Sequence, residues 1–272
     1  MSEPSGRDKS QNPDLNQRPR DLSQVRAVYF DLDDTLCAYW DASKIALAKA
    51  FNAYPVSGKT SEEMVRQWAA AFRDFAPTLK QTGWYEGYLK SGAPTRLEQM
   101  RLTLMRVGIE DPAHAASLSE SYMRSRDEAL ALFPDALDLL EYLKPKYPLG
   151  LITNGPADIQ RQEVVTLKLE GYFPHIFIEG EIGEGKPLQS VFKRAADAVG
   201  FSPNEIVFIG NSYDHDMAPA IAAGWRTIWV RRESDVPPSA DLDKEPKPKE
   251  KPLGAPAPDA IVDNLAILKC WL

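Results

Sequence analysis

Short apolar runs that stop at polar or glycine-containing stretches recur along this chain. They occupy residues 25–30, 149–153, 176–178, 206–209 and 227–230, with a weaker one at 260–262. Helical patterns fall between them. Pro134 opens one in which Leu137, Leu140 and Leu143 share a face, and Pro187 opens another with Val191, Ala195 and Ala198 at three- and four-residue spacing. Proline suits a first helical position, where the amide it lacks would have no intrahelical partner. Strands alternating with helices predict an α/β fold, a doubly wound parallel sheet with helices on both faces.

Residues 38–133 interrupt that alternation. They carry amphipathic helical stretches, such as 61–75, 94–107 and 112–132, and no strand pattern. The expectation is an inserted helical subdomain lying over the end of the first strand. The core is then 24–37 with 134–272, preceded by a polar tail over 1–23 that reads as solvated and disordered. The stretch 233–258 is rich in Pro, Lys, Asp and Glu. Such a composition buries little apolar surface, so a flexible loop is expected there.

Composition narrows the class. The 272 residues are 43% hydrophobic and 26% charged, with a net charge of −7. An acidic chain of this kind argues against a nucleic-acid or anionic-membrane partner. No apolar run approaches the roughly 18 residues of a membrane span, and the polar first residues lack the apolar centre of a signal peptide. Two cysteines, Cys37 and Cys270, make neither a disulfide framework nor a metal site. The expected location is cytoplasmic.

The chemistry gathers at strand ends, where open α/β sheets bind ligands. The first strand runs into Asp31-Leu32-Asp33-Asp34-Thr35-Leu36. Asp31 and Asp33, two apart, leave a strand on the same side if the extended geometry persists, and like charges so close call for a cation or a shared proton. An Asp-rich strand end is also ordinary turn chemistry. The second ends in Thr153-Asn154-Gly155 ahead of a helix near Pro156, which suits an anion or a plain cap. Gly185-Lys186-Pro187 sets a lysine at a helix entry, either a solvent-facing turn or a grip on an anion. The run from Gly210 through Asn211, Ser212 and Asp214 to Asp216 supplies oxygen atoms that favour Mg²⁺, while His215 reads as an exposed or capping residue.

Asp-x-Asp-x-Thr, Thr-Asn-Gly, Gly-Lys-Pro and Gly-Asn-Ser-x-x-x-Asp, in that order over about residues 25–232, resemble the four motifs of the haloacid dehalogenase (HAD) superfamily. The insert resembles the cap domain of the branch that carries it after the first motif, over a Rossmann-like core. The resemblance implies a Mg²⁺-dependent phosphatase acting on a small phosphorylated metabolite, as a monomer or homodimer. Asp31 would be the nucleophile forming an aspartyl-phosphate, and Asp33 the acid and then the base. Thr153 and Lys186 would complete the catalytic set, Lys186 stabilising the transferring group. Thr35, Asn154 and Gly155 would serve the acidic loop and the phosphoryl oxygens. Mg²⁺ would rest on Asp31, Asp33, Asn211 and Asp216.

One departure is visible: many relatives of this kind carry aspartate where this chain has Asn211, which leaves Asn211, Asp214 and Asp216 as competing metal contacts. A phosphomutase or a 2-haloacid dehalogenase of the same superfamily is the alternative reading, and a binding module that kept the fold is a third. Dehalogenases of this kind lack the second aspartate, present here as Asp33. Trp40, Trp68, Trp84 and Tyr85 are candidates for a pocket wall. Arg96, Arg101 and Arg106 read better as a solvated helix face.

Overall fold

The computed structural model describes residues 13–19, 22–240 and 250–272. Its sheet comprises β1 (Ala27–Phe30), β2 (Leu149–Thr153), β3 (His175–Ile178), β4 (Ile206–Gly210), β5 (Arg226–Val230) and β6 (Ala260–Val262). The order is β3-β2-β1-β4-β5-β6, and every neighbouring pair is parallel. β1, β2 and β4 are buried throughout, which is why they read as unbroken apolar runs. The order turns back between β1 and β4, and the crevice beyond their carboxyl ends is where such sheets take ligands.

Helices α1 (Tyr39–Ala53), α2 (Ser61–Phe75), α3 (Trp84–Lys90), α4 (Ala93–Met105) and α5 (Pro112–Ala129) fill the stretch after β1. Then come α6 (Pro134–Leu143), α7 (Ala157–Thr166), α8 (Glu179–Ile182), α9 (Gln189–Val199) and α10 (Ala218–Ala222) among the later strands. One face of the sheet packs Val28, Phe30, Leu151 and Ile209 on α6. The opposite face packs Tyr29, Phe208 and Trp229 against α9 and α10. The inserted helices have a core of their own around Leu47, Phe51, Met64, Trp68, Leu104 and Leu118.

Several details depart from the sequence pattern. On α6 the buried set is Ala136, Leu139, Leu140 and Leu143, whereas Leu137 is exposed. Pairs three and four apart (Ala136 with Leu139 and Leu140, Leu143 with Leu140 and Leu139) fit a 3.6-residue turn better than the repeated spacing of three. Pro187 does not open a helix: the Lys186–Pro187 bond is cis and α9 starts at Gln189. Phe192 takes the inner face of α9, while Ala198 is exposed in the last turn before the left-handed Gly200. α5 ends at Ala129, short of residue 132. The alanine-rich α1 and the short α3 had no clear amphipathic signature, yet α1 buries Ala42, Ala46, Leu47, Ala50 and Phe51.

Residues 13–19, expected within the solvated tail, lie against β6. The Asn16 amide donates to the Ile261 carbonyl at 2.8 Å, and the Asn16 side chain donates to Asp263. Residues 1–12, 20 and 21 of that tail, and 241–249 of the expected loop, lie outside the described residues. The start of that loop is tied to the site through Asp235, and its end through the Tyr213 hydroxyl, which donates to the Pro256 carbonyl at 2.6 Å.

Candidate active site

The extended geometry of β1 does not persist into the acidic motif. Asp34 adopts a left-handed φ of 57°, and the chain folds back so that its amide donates to the Cys37 carbonyl. The Asp34 carboxylate accepts from the Trp40 amide at 3.0 Å, tying the turn to the start of α1. Asp31 and Asp33 therefore reach the site from a tight loop and face different partners.

Asp31 is buried. Its Oδ2 accepts from Thr35 Oγ1 at 2.9 Å and its Oδ1 from Lys186 Nζ at 2.6 Å. The same ammonium donates to Asp216 Oδ1 at 2.7 Å. Three chain segments far apart in sequence thus meet at one cation. Asp216 can fold back this way because Gly210 has no side chain: a Cβ there would come within 2.5 Å of Asp216 Oδ2. The second Asp216 oxygen accepts from the Ser212 amide at 2.8 Å.

The Thr-Asn-Gly loop makes several hydrogen bonds within the protein. The Asn154 side chain clasps the Lys186 backbone, donating to its carbonyl at 2.6 Å and accepting from its amide at 2.8 Å. It holds the lysine in register with the two aspartates. The Gly155 amide donates to Glu179 Oε2 at 3.0 Å, and Thr153 Oγ1 donates to Gln160 Oε1. Asn154 and Gly155 still line the cavity described below.

Asp33 belongs to a separate network that the sequence did not signal. Gln160 Nε2 donates to Asp33 Oδ2 and to Glu163 Oε2, each at 3.0 Å, and Glu163 lies 3.2 Å from the Arg126 guanidinium of α5. Gln160, Glu163 and Arg126 are all buried. The only available signal was that Gln160 and Glu163, three residues apart, share a face of the helix following Thr153.

Burial dominates the electrostatics. It pushes the Asp31 carboxyl up to about 7, against the pull of the neighbouring Lys186 ammonium. Burial raises Asp33 as well, opposed by the Gln160 hydrogen bond and the Arg126 charge, and raises Glu163 well above the usual carboxylate range. For Lys186, burial works against the charge, but Asp216 and Asp31 outweigh it and the lysine is raised.

Of the competing metal contacts, Asp216 is buried beside Asp31, whereas Asp214 is exposed. Asn211 Nδ2 donates to Asp235 Oδ2 at 2.9 Å, leaving its amide oxygen for a cation. Among the described residues no group of three or more His, Cys, Asp or Glu side chains forms a metal cluster. A divalent ion here would rest on two carboxylates with neutral oxygens, a donor set that suits Mg²⁺.

A cavity of about 360 Å³ lies between the inserted helices and these strand ends, and Asp33 and Gln160 form part of its wall. Trp40, Trp68, Phe72, Phe75, Tyr88 and Arg96 face it from the insert. Two other pocket-wall candidates are placed elsewhere: Trp84 packs edge-on against Phe75 at 5.9 Å, and Tyr85 donates its hydroxyl to Glu179. Arg101 pairs with Glu98 and Arg106 with Asp74 on the outer surface, as a solvated face would; Arg96 does not.

Comparison with known proteins places the fold and the family. The chain is 29% identical over 223 residues to a glyceraldehyde 3-phosphate phosphatase from Methanopyrus kandleri, covering 80% of this chain and 90% of that protein. It is 30% identical over 225 residues to a phosphoserine phosphatase from Thermus thermophilus, covering 76% and 89%. Among solved structures, the magnesium-bound HAD-hydrolase YfnB from Bacillus subtilis matches with a TM-score of 0.65 at 21% identity, covering 91% and 98%. An L-2-haloacid dehalogenase from Xanthobacter autotrophicus matches at 0.64 and 24% identity, covering 90% and 97%. At these identities the two structures speak to the fold. The model of the haloacid dehalogenase-like hydrolase family matches residues 25–224. The chain belongs to that family, and it is a hydrolase.

Proposed function

We propose that the chain is a Mg²⁺-dependent phosphomonoesterase that hydrolyses a small phosphorylated metabolite through an aspartyl-phosphate. The observation that carries this reading is the Lys186 ammonium set between Asp31 and Asp216, with Asp33 held apart on the cavity wall. Phosphate dianions need compensating positive charge beside two acids, and Lys186 supplies part of it. The relatives at 29% and 30% identity act on small phosphate esters, which supports the same substrate class.

In the first half-reaction an Asp31 carboxylate oxygen attacks phosphorus as the bond to the leaving oxygen breaks, and Asp33 gives its proton to that oxygen. The raised Asp33 suits a proton donor. In the second half-reaction Asp33, now ionised, takes a proton from the water that attacks phosphorus, releasing phosphate and restoring Asp31. Mg²⁺, held by the Asp31 carboxylate, the Asp33 carbonyl, the Asn211 amide oxygen and Asp216, would neutralise charge on the transferring group. Thr35 keeps Asp31 in place, and Asn154 keeps Lys186 in place.

Asp33 also weighs against carbon–halogen chemistry, because halide leaves without a proton. The test is release of phosphate from p-nitrophenyl phosphate and a panel of metabolite phosphates, with and without Mg²⁺, beside Asp31→Asn. The variant is expected to lose turnover by roughly 10³-fold or more. Resistance of the whole panel to the wild-type protein would overturn the reading.

A further inference from the structure

We propose that the leaving group of the substrate is a flat heteroaromatic ring with a carbonyl or carboxylate oxygen at its edge, rather than a short aliphatic chain. This rests on the phosphatase reading and concerns the other side of the same cavity. Asp33, Asn154 and Gly155 mark the side where phosphoryl transfer takes place. Much of the remaining lining is aromatic: Trp68 and Phe72 of α2 stack on each other at 5.1 Å with planes 21° apart, and Phe75, Trp40 and Tyr88 line the same cavity. Aromatic walls stack on a flat conjugated ring with an advantage of up to about tenfold in affinity over burial of equal apolar area. A three-carbon phosphate ester offers them nothing to stack on.

Arg96 sharpens the inference. Its side chain lines the cavity half-buried on α4 and, among the described residues, makes no hydrogen bond and no close ion pair; the Asp158 carboxylate, engaged by Ser91 and Gly92, acts on its charge only at longer range. Its guanidinium lies over Gly92, where a Cβ would sit 2.5 Å from it and 3.1 Å from both Ile159 and Pro156. That places the charge at the seam between the insert and the loop after Thr153. The other arginine of the wall, Arg126, is already met by Glu163 and Asp127. A half-buried guanidinium with unfilled donors gains from a ligand that brings acceptor oxygens to it. A guanidinium matches paired oxygen acceptors on a planar edge and stacks on aromatic faces. A purely hydrocarbon leaving group would leave Arg96 unmet.

The test compares kcat/KM with Mg²⁺ for flavin mononucleotide and uridine 5′-monophosphate against glycerol 3-phosphate and propyl phosphate, neither of which carries a carbonyl or carboxylate. At least one ring-bearing ester is expected to exceed both aliphatic esters about tenfold or more. Phe72→Leu and Arg96→Gln are each expected to erase most of that ratio through KM. Arg96→Gln removes no ion pair, so it serves if Phe72→Leu proves unstable. Equal rates for the two classes, or variants that leave the ratio untouched, overturn the inference while the phosphatase reading stands. If no ester is hydrolysed, that reading falls. Calorimetric titration of the same compounds with EDTA then decides this one: a tenfold tighter ring-bearing ligand supports the cavity assignment, and equal or undetectable binding overturns it.

Discussion

Gln160 is the residue through which the two halves of the site communicate. Its amide takes the Thr153 hydroxyl on one side and gives protons to Asp33 and Glu163 on the other. Those contacts fix the direction of the Asp33 carboxylate, and a proton donor must be aimed as well as suitably acidic. Replacing Gln160 by Leu is expected to lower kcat by about 10²-fold with a smaller change in KM. Taking the Gln160 amide from the buried Thr153 hydroxyl and from Glu163 Oε2, whose carboxylate would keep its Arg126 contact, would also cost about 1–3 kcal/mol of stability. Steady-state kinetics beside thermal unfolding check both, and an unchanged kcat would show that Gln160 only fills space. Nothing in the motif pattern pointed to it, because a helical Gln is unremarkable until three separate groups are seen to converge on its amide.

Among the elements, α2 carries much of the aromatic wall and owes its start to a reciprocal cap. The Thr60 hydroxyl accepts from the Glu63 amide at 3.1 Å, and the Glu63 carboxylate accepts from the Thr60 amide at 2.8 Å. Thr60→Ala is expected to cost about 1 kcal/mol, lowering the melting temperature by roughly 2–4 °C. Scanning calorimetry reads this directly, and a shift below half a degree would mean the cap contributes little. This start was legible, since the pattern placed the helix at 61–75 with its true ends. α1 was not, because small alanines that let helices pack closely leave little contrast between faces.

For the whole molecule, the placement of Asp31 sets a dependence on pH and metal. Its native carboxyl titrates near 7, against 3.8 for the free side chain, because burial disfavours the charge. Between those values the native state holds more protons than the unfolded chain, so this group's contribution to stability falls as pH rises through the window. The proposed Mg²⁺ would bind the ionised carboxylate, so the gain in melting temperature on adding Mg²⁺ is expected to be larger at pH 8 than at pH 5. Unfolding curves with Mg²⁺ or EDTA at both pH values test it, and an equal or absent gain would count against a metal at Asp31. Among the described residues no helix is long and apolar enough to cross a membrane.

The linear chain by itself determined the alternating architecture, the helical insert and the motif residues, since burial periodicity and turn chemistry act over a few neighbouring positions. It also singled out Asp31, Lys186 and Asp216, which the fold brings to one point. Tertiary structure alone decided what each polar atom does. Asn154 serves the Lys186 backbone, Asn211 turns its amide to Asp235, and Arg96 faces a cavity while Arg101 faces water. Those outcomes depend on hydrogen bonds and burial between segments tens to more than a hundred residues apart, and no local pattern encodes which donor will meet which acceptor.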